Sequence, residues 1–144
     1  MKIEVFKPEH LERLQLQPAQ AYFAREFSQP GYSSLLGKGP AFTALDGEVV
    51  LGCGGAAELW PGRACVWSLL SESAGPHMMA ITRAVRGFIL QLPYRRIEAM
   101  VDCEFKAGHR WARLLGFQCE TPLGMRAFTP DGRDVCLYAR VQNG

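Results

Sequence analysis

The stretch from Tyr94 to Phe117, YRRIEAMVDCEFKAGHRWARLLGF, decides how the chain is read. Ile97, Ala99 and Val101 alternate with Arg96, Glu98 and Asp102, a period of two that predicts a half-buried strand. After a short turn, Trp111, Leu114 and Leu115 recur at helical spacing with His109, Arg110 and Arg113 between them. That pattern predicts an amphipathic helix with His109 on its solvent side. Gly116 follows the last periodic residue, where a left-handed cap favours glycine, and Phe117 opens a new extended segment.

Working outward, His77 to Leu92 carries Ile81, Val85, Phe88 and Leu92 at helical spacing and stops at Pro93. Before it, ACVWSLL from Ala64 to Leu70 predicts a central strand buried on both faces. A strand, a helix and a second strand form a β-α-β unit, so those two strands are expected to be parallel. Further upstream, Ala41 to Leu45 is a strand, Asp46-Gly47 a hairpin turn, and Glu48 begins the return strand. The glycines of Gly52-Cys53-Gly54-Gly55 lie inside that strand and mark a bulge or close backbone packing; no helix follows to make them a nucleotide fingerprint. Pro61-Gly62 is the next turn.

At the start of the chain, KIEVF (residues 2–6) alternates as a strand and Pro8 suits the first turn of a helix. Leu11, Leu14 and Leu16 give that helix its stripe until Pro18 interrupts it. A second helix is expected from Ala19 to Phe27, with Tyr22, Phe23 and Phe27 on one side, then a turn at Gln29-Pro30-Gly31-Tyr32. Gly37-Lys38-Gly39-Pro40 is a loop without phosphate-loop spacing. Past Phe117, Arg126–Thr129 and Arg133–Val141 are expected strands joined at Pro130-Asp131-Gly132. The order β-α-α-β-β-β-α-β-α-β-β implies a mixed α/β (α+β) class, with about six to seven strands in a central mixed sheet and helices on both faces.

A length of 144 residues predicts one domain, 1–144. The apolar runs are too short to span a bilayer, and MKIEVFKPEH has no apolar leader core, so a cytoplasmic chain with no membrane partner is expected. Cys53, Cys65, Cys103, Cys119 and Cys136 are scattered and form no C-x-x-C pair. They argue for a reducing compartment and against a disulfide framework or a metal site; buried apolar thiols are the simpler reading. A net charge of +2 implies no specific nucleic-acid partner, and Trp60, Trp67 and Trp111 read as core or pocket wall rather than a stacking platform. Between Arg83 and Arg113, however, seven basic residues (Arg83, Arg86, Arg95, Arg96, Lys106, Arg110 and Arg113) face three acidic ones (Glu98, Asp102 and Glu104), an excess of four. Such a face serves a phosphorylated cofactor or an acidic partner, or is simply a solvated helix surface.

The element order, together with Ala107 to Phe117, AGHRWARLLGF, resembles the GNAT superfamily of N-acetyltransferases, whose closing helix often ends in Leu-Gly-Phe. The Leu-Gly-Phe helix, the Thr-Pro-Asp-Gly hairpin and the terminal strand Cys136-Leu137-Tyr138-Ala139-Arg140-Val141 also resemble small GNAT-like proteins encoded by bacteriophages. The resemblance implies acetyl transfer from acetyl-CoA to a primary amine on a small molecule or peptide. Coenzyme A would be held by Leu69, Leu70 and Ser71 along the central strand, by Gly75, His77, Met78, Met79 and Ala80 at the loop and helix start, and by Trp111 of the closing helix. A loop entering a helix offers backbone N–H groups and the positive end of the helix dipole to a pyrophosphate. A strand from a second copy pairing at the sheet edge would give a homodimer. A phage-encoded chain would work in the host cytoplasm or the virion.

The sequence departs from the family at three places. The family's loop usually reads Q/R-x-x-G-x-G/A; in Gly75-Pro76-His77-Met78-Met79-Ala80 only Ala80 fits, and Met78 stands where a glycine lets phosphates approach. The tyrosine that often acts as general acid, four residues before the final glycine, is Ala112. No carboxylate lies within Ala64–Leu70, so the catalytic residues are unknown, with Glu72 and Ser71 as candidates. Glu72 is a base or an exposed loop carboxylate; Ser71 is a hydroxyl near the thioester or a strand-end cap; His77 binds phosphate, shuttles a proton or is a bland helix-start histidine. The alternative function is a catalytically degenerate GNAT-fold protein with a phage structural or host-interaction role.

Overall fold

Left-handed glycines set the reach of the long strands. Gly47 (φ +59°) and Gly62 (φ +94°) close the turns at Asp46-Gly47 and Pro61-Gly62, and both have open space where a side chain would stand. In the computed structural model, which describes residues 1–23 and 38–142, these turns separate β2 (Ala41–Asp46), β3 (Val49–Trp60) and β4 (Arg63–Leu70). The remaining strands are β1 (Lys2–Val5), β5 (Arg96–Asp102), β6 (Gln118–Cys119) and β7 (Val135–Val141); the helices are α1 (Pro8–Glu12), α2 (Met78–Gln91) and α3 (Lys106–Leu114). Short 3-10 helices cover Pro18–Phe23 and Gly75–His77.

The strands form one mixed sheet in the order β1-β2-β3-β4-β5-β7-β6. β4 and β5 are parallel, as the β-α-β reading expects, and their ladder pairs Arg63–Val66 with Arg96–Ala99. β1–β2, β2–β3, β5–β7 and β6–β7 are antiparallel. Among the described residues no helix is long and apolar enough to cross a membrane.

Two compact units divide the chain, Met1–Ala57 with Trp67–Gln91, and Glu58–Val66 with Leu92–Gly144. In the first, Phe6, Ala41, Leu45, Val50 and Cys53 form a buried cluster, with Leu11, Leu14 and Trp67 packed on it. Pro8 opens α1 at its first turn, and His10 takes the place of the usual Glu in a capping box, its Nδ1 accepting the Lys7 N–H at 3.1 Å. Leu16 leaves the helical stripe and forms an antiparallel bridge with Ser71. Pro18, expected only to break a helix, starts the 3-10 segment. The expected second helix beyond Phe23 and the turn over residues 29–32 lie outside the described residues. The glycines of β3 do allow close packing: a Cβ at Gly55 would stand 2.6 Å from Pro40 O, and one at Gly52 3.0 Å from Leu69 O.

In the second unit, β5 departs from a simple half-buried strand. Glu98 and Asp102 are 3% and 4% exposed, whereas Met100 is exposed. Arginines explain the inversion: Glu98 is bridged by Arg63 (2.8 Å) and Arg96 (2.5 Å), and Asp102 by Arg133 (2.5 Å). β4 is central, but only Ala64 and Leu69 within it are fully buried. α3 also presents a face different from the expected stripe. Gly108, Ala112 and Leu115 are buried, while Leu114 is 59% exposed. Small residues win because the helix lies close on β5: a Cβ at Gly108 would stand 2.9 Å from Val101 Cγ1. Finally, Arg126–Thr129 is not a strand. Ala127 takes φ +50°, which breaks extension, and β7 pairs instead with Gln118–Cys119 just after Phe117.

Candidate functional site

β4 ends at Leu70 and turns through Ser71 before the 3-10 segment leads into α2. Ser71, 4% exposed, is the pivot. Its N–H donates to Leu51 O (2.8 Å), its hydroxyl accepts the Ser73 N–H (3.0 Å), and its carbonyl accepts the Ala74 N–H (3.1 Å). Leu69 is buried, Leu70 half-buried and Glu72 exposed. At the helix start Gly75 is exposed, Met78 and Ala80 are half-buried, and Met79 is 80% exposed. His77 is half-buried with Nε2 3.5 Å from Asp46 Oδ2. The first turn of α2 holds no acidic residue, and a Cβ at Gly75 would meet nothing within 4 Å. An anion at this end would meet the positive end of a 14-residue helix dipole, with no carboxylate of that turn opposing it; the His77 N–H donates to Ala74 O (2.8 Å) and the Met78 N–H to Gly75 O, and Pro76 has none.

The edge of β4 that carries Ser68, Leu70 and Glu72 is paired within the first unit. Alternate residues of a strand present their polar groups to opposite edges. Ser71 N turns to β3, whereas Gly62 O, on the even-numbered edge, takes the Arg96 N–H at 3.0 Å. Higher on that even edge, Gln20 Nε2 donates to Ser68 O (3.0 Å) and Gln20 Oε1 accepts from Leu70 N (2.9 Å). Gln17 N donates to Leu70 O (2.9 Å) and Glu72 N to Gln15 O (3.0 Å), on either side of the Leu16–Ser71 bridge.

In the second unit Trp111 is half-buried on α3, and Ala112 is 5% exposed. His109, expected on the solvent side, is half-buried: its Nδ1 lies 2.7 Å from the Tyr138 hydroxyl and its Nε2 3.0 Å from Cys103 O. It therefore ties α3 to β7 and to the end of β5. Tyr138 is fully buried, and burial pushes its phenol up. Cys103 and Cys136, far apart in sequence, bring their sulfurs to 3.3 Å. Among the described residues no three His, Cys, Asp or Glu side chains gather as metal ligands.

Sequence reasoning passed over His10, Gln20 and Tyr138. The capping-box position of His10, two residues after Pro8, is a local signal that could have found it. Gln20 has no such signal, because its partners on β4 are 48 and 50 residues away.

No protein-family model matches the sequence, and no curated protein matches it. Solved structures do. A protein described as a candidate phosphinothricin N-acetyltransferase superposes with a TM-score of 0.74 at 15% identity, over 99% of each chain. The GNAT superfamily phosphinothricin acetyltransferase of Sinorhizobium meliloti, solved in complex with AcCoA, gives 0.66 at 19% identity over 99% of this chain and 88% of that one. An N-acetyltransferase from Staphylococcus aureus Mu50 gives 0.69 at 14% identity over 97% of each. With its seven-stranded mixed sheet in this order, the chain has the fold of the GNAT N-acetyltransferases.

Proposed function

We propose that the protein is an acyl-CoA-dependent N-acyltransferase that moves an acetyl group from acetyl-CoA to a primary amine. The observation that carries this reading is the fold, shared along nearly the whole chain with acetyltransferases that include an AcCoA complex. The start of α2 suits the anionic half of the cofactor: it has open space at Gly75, no acidic residue in its first turn, and His77 beside it. The phosphates would rest beside the turn from Gly75 to Ala80, at the positive end of the α2 dipole. Bound acetyl-CoA supplies the thioester and its thiolate leaving group. The chain's own residues hold the thioester and the amine in register, and positioning supplies most of the rate. A thiolate needs little acid help at neutral pH, consistent with Ala112 where the family often has a tyrosine. Water relays the amine proton outward, with the exposed Glu72 as the nearest carboxylate in sequence to the strand end.

Calorimetric titration with acetyl-CoA tests this. Micromolar binding is expected, lost in Met78→Glu. An acidic residue at a helix start favours the helix itself, so that loss reports repulsion of phosphate rather than unfolding. No binding at millimolar acetyl-CoA would sink the proposal. Thiol release with a panel of small amines and peptides then reads the acceptor.

A second reading is a catalytically degenerate GNAT-fold protein that acts by binding a partner. It is favoured by the self-paired edge of β4 and by Ala112. Cofactor binding without thiol release for any amine would support it.

A further inference from the structure

A thioester carrier with an amide-bearing arm is expected to lie along β4 near Leu69 to Ser71 and to pair with its backbone. Those backbone groups are already engaged on the even-numbered edge. Ser68 O, Leu70 N, Leu70 O and Glu72 N each have a partner from residues 15–20, at 2.9–3.0 Å. Gln20 does this with its side chain alone. One carboxamide bonds both the C=O of residue 68 and the N–H of residue 70, which is how one residue of a parallel neighbouring strand would bond β4. Gln20 is 7% exposed, and Gln17 Nε2 donates to its Oε1 at 2.8 Å, so the carboxamide is held in place.

We propose that Gln20 is a built-in mimic of the acyl carrier's arm, and that the thioester is admitted only when an incoming amide exchanges for the Gln20 carboxamide. This rests on the acyltransferase reading. The chemistry sets the ligand class. Displacing Gln20 leaves the part-buried Ser68 C=O and Leu70 N–H to be paired again, and a group left unpaired away from water is costly. A pantetheine arm carries amide N–H and C=O groups and can restore both bonds, so the exchange is close to even. A ligand with a purely aliphatic arm cannot. Gln20 therefore selects for amide-bearing carriers and lowers the apparent affinity of all of them, because only the displaced fraction binds.

The test compares wild type with Gln20→Ala by calorimetry, using acetyl-CoA and adenosine 3′,5′-bisphosphate, which has phosphates and no amide arm. Acetyl-CoA is expected to bind Gln20→Ala about tenfold more tightly, an effect of the size expected from losing one or two hydrogen bonds to the edge. The bisphosphate is expected to bind both proteins equally. Equal acetyl-CoA affinity in the two proteins overturns the mimicry and leaves the acyltransferase reading standing. A parallel change for both ligands also overturns it, since a general loosening would then explain the gain. If neither ligand binds either protein, the acyltransferase reading falls and the mimicry with it. Should Gln20→Ala fail to fold, the near-isosteric Gln20→Met removes both hydrogen bonds while keeping bulk. In wild type, the Gln20 side-chain NH₂ resonances should shift on adding acetyl-CoA and not on adding the bisphosphate; unmoved resonances at saturating acetyl-CoA overturn the exchange.

Discussion

At position 10 a buried histidine ties the start of α1 to β2. The Lys7 N–H points at its Nδ1, so that nitrogen is an acceptor and the ring is neutral, with the Thr43 hydroxyl also 2.7 Å from Nδ1. Burial holds the His10 pKa below its ordinary value of 6.5, with the Arg13 charge adding to the effect. The unfolded chain then binds the proton more readily than the folded one. This contribution to stability is complete above about pH 6.5 and is lost as pH falls toward the depressed folded value. Urea midpoints at pH 7.5 and 5.5 should drop more for wild type than for His10→Gln; equal drops would refute the assignment. Backbone contact makes Gly55 a second sensitive residue. Its added Cβ would lie 2.6 Å from Pro40 O and 2.7 Å from Ala41 Cβ, so Gly55→Ala is expected to cost about 1–3 kcal/mol in urea unfolding. A change of only a few tenths would mean that β2 and β3 part without strain.

Between elements, Glu98 is the charge on which β4 and β5 converge. It is 3% exposed and bound by Arg63 of β4 and Arg96 of β5, and Arg96 goes on to Glu120 beyond β6. The Arg63 guanidinium, chiefly, holds the Glu98 carboxyl below its ordinary 4.5, with Arg96 adding to it. The associated stability is therefore present above about pH 4.5 and lost on acidification through the lower folded value. Glu98→Ala leaves two arginines that are each 29% exposed, with Arg96 still on Glu120, and is expected to cost about 1–3 kcal/mol, less than breaking a fully buried pair. It should also flatten the acid limb of the stability profile; an unchanged limb would show that other carboxylates control it. The thiols give an independent check on these strands. Burial pushes Cys53 and Cys65 up to about 11, and burial with the neighbouring Cys103 thiol pushes Cys136 up to about 12. At pH 8 all three should label slowly with a maleimide in the folded protein and rapidly in urea, read by peptide mass spectrometry. Fast native labelling of Cys53 would contradict its place in the buried cluster with Phe6 and Val50.

At the level of the whole molecule, ligand binding should appear as thermal stability. If acetyl-CoA binds only the folded chain, a concentration of 100 times Kd adds roughly 2.7 kcal/mol. For a chain of this length that is a rise in Tm of roughly 5–10 °C. Met78→Glu should abolish the rise without lowering the starting Tm. A rise that persists in the variant would move the phosphates away from α2.

What the sequence determined by itself was most of the run of elements, but not β6 or the irregular stretch at Arg126–Thr129. Turn pairs such as Asp46-Gly47 and Pro61-Gly62, the Pro8 helix start and the period of α2 act within a few residues, so their signal is local. Even there, polarity misled where a partner lay elsewhere. Glu98 and Asp102 read as a solvent face because Arg63 and Arg133, which complete their pairing beside the neighbouring Arg96, are 35 and 31 residues distant. Leu114 read as core because the sequence does not show that α3 turns Gly108, Ala112 and Leu115 inward, with Gly108 too near Val101 for a side chain. Tertiary structure alone decided the state of the candidate site. The Gln20 carboxamide meets Ser68 and Leu70 only once residues 15–20 lie along β4, and hydrogen bonds of that range leave no period or motif in the chain.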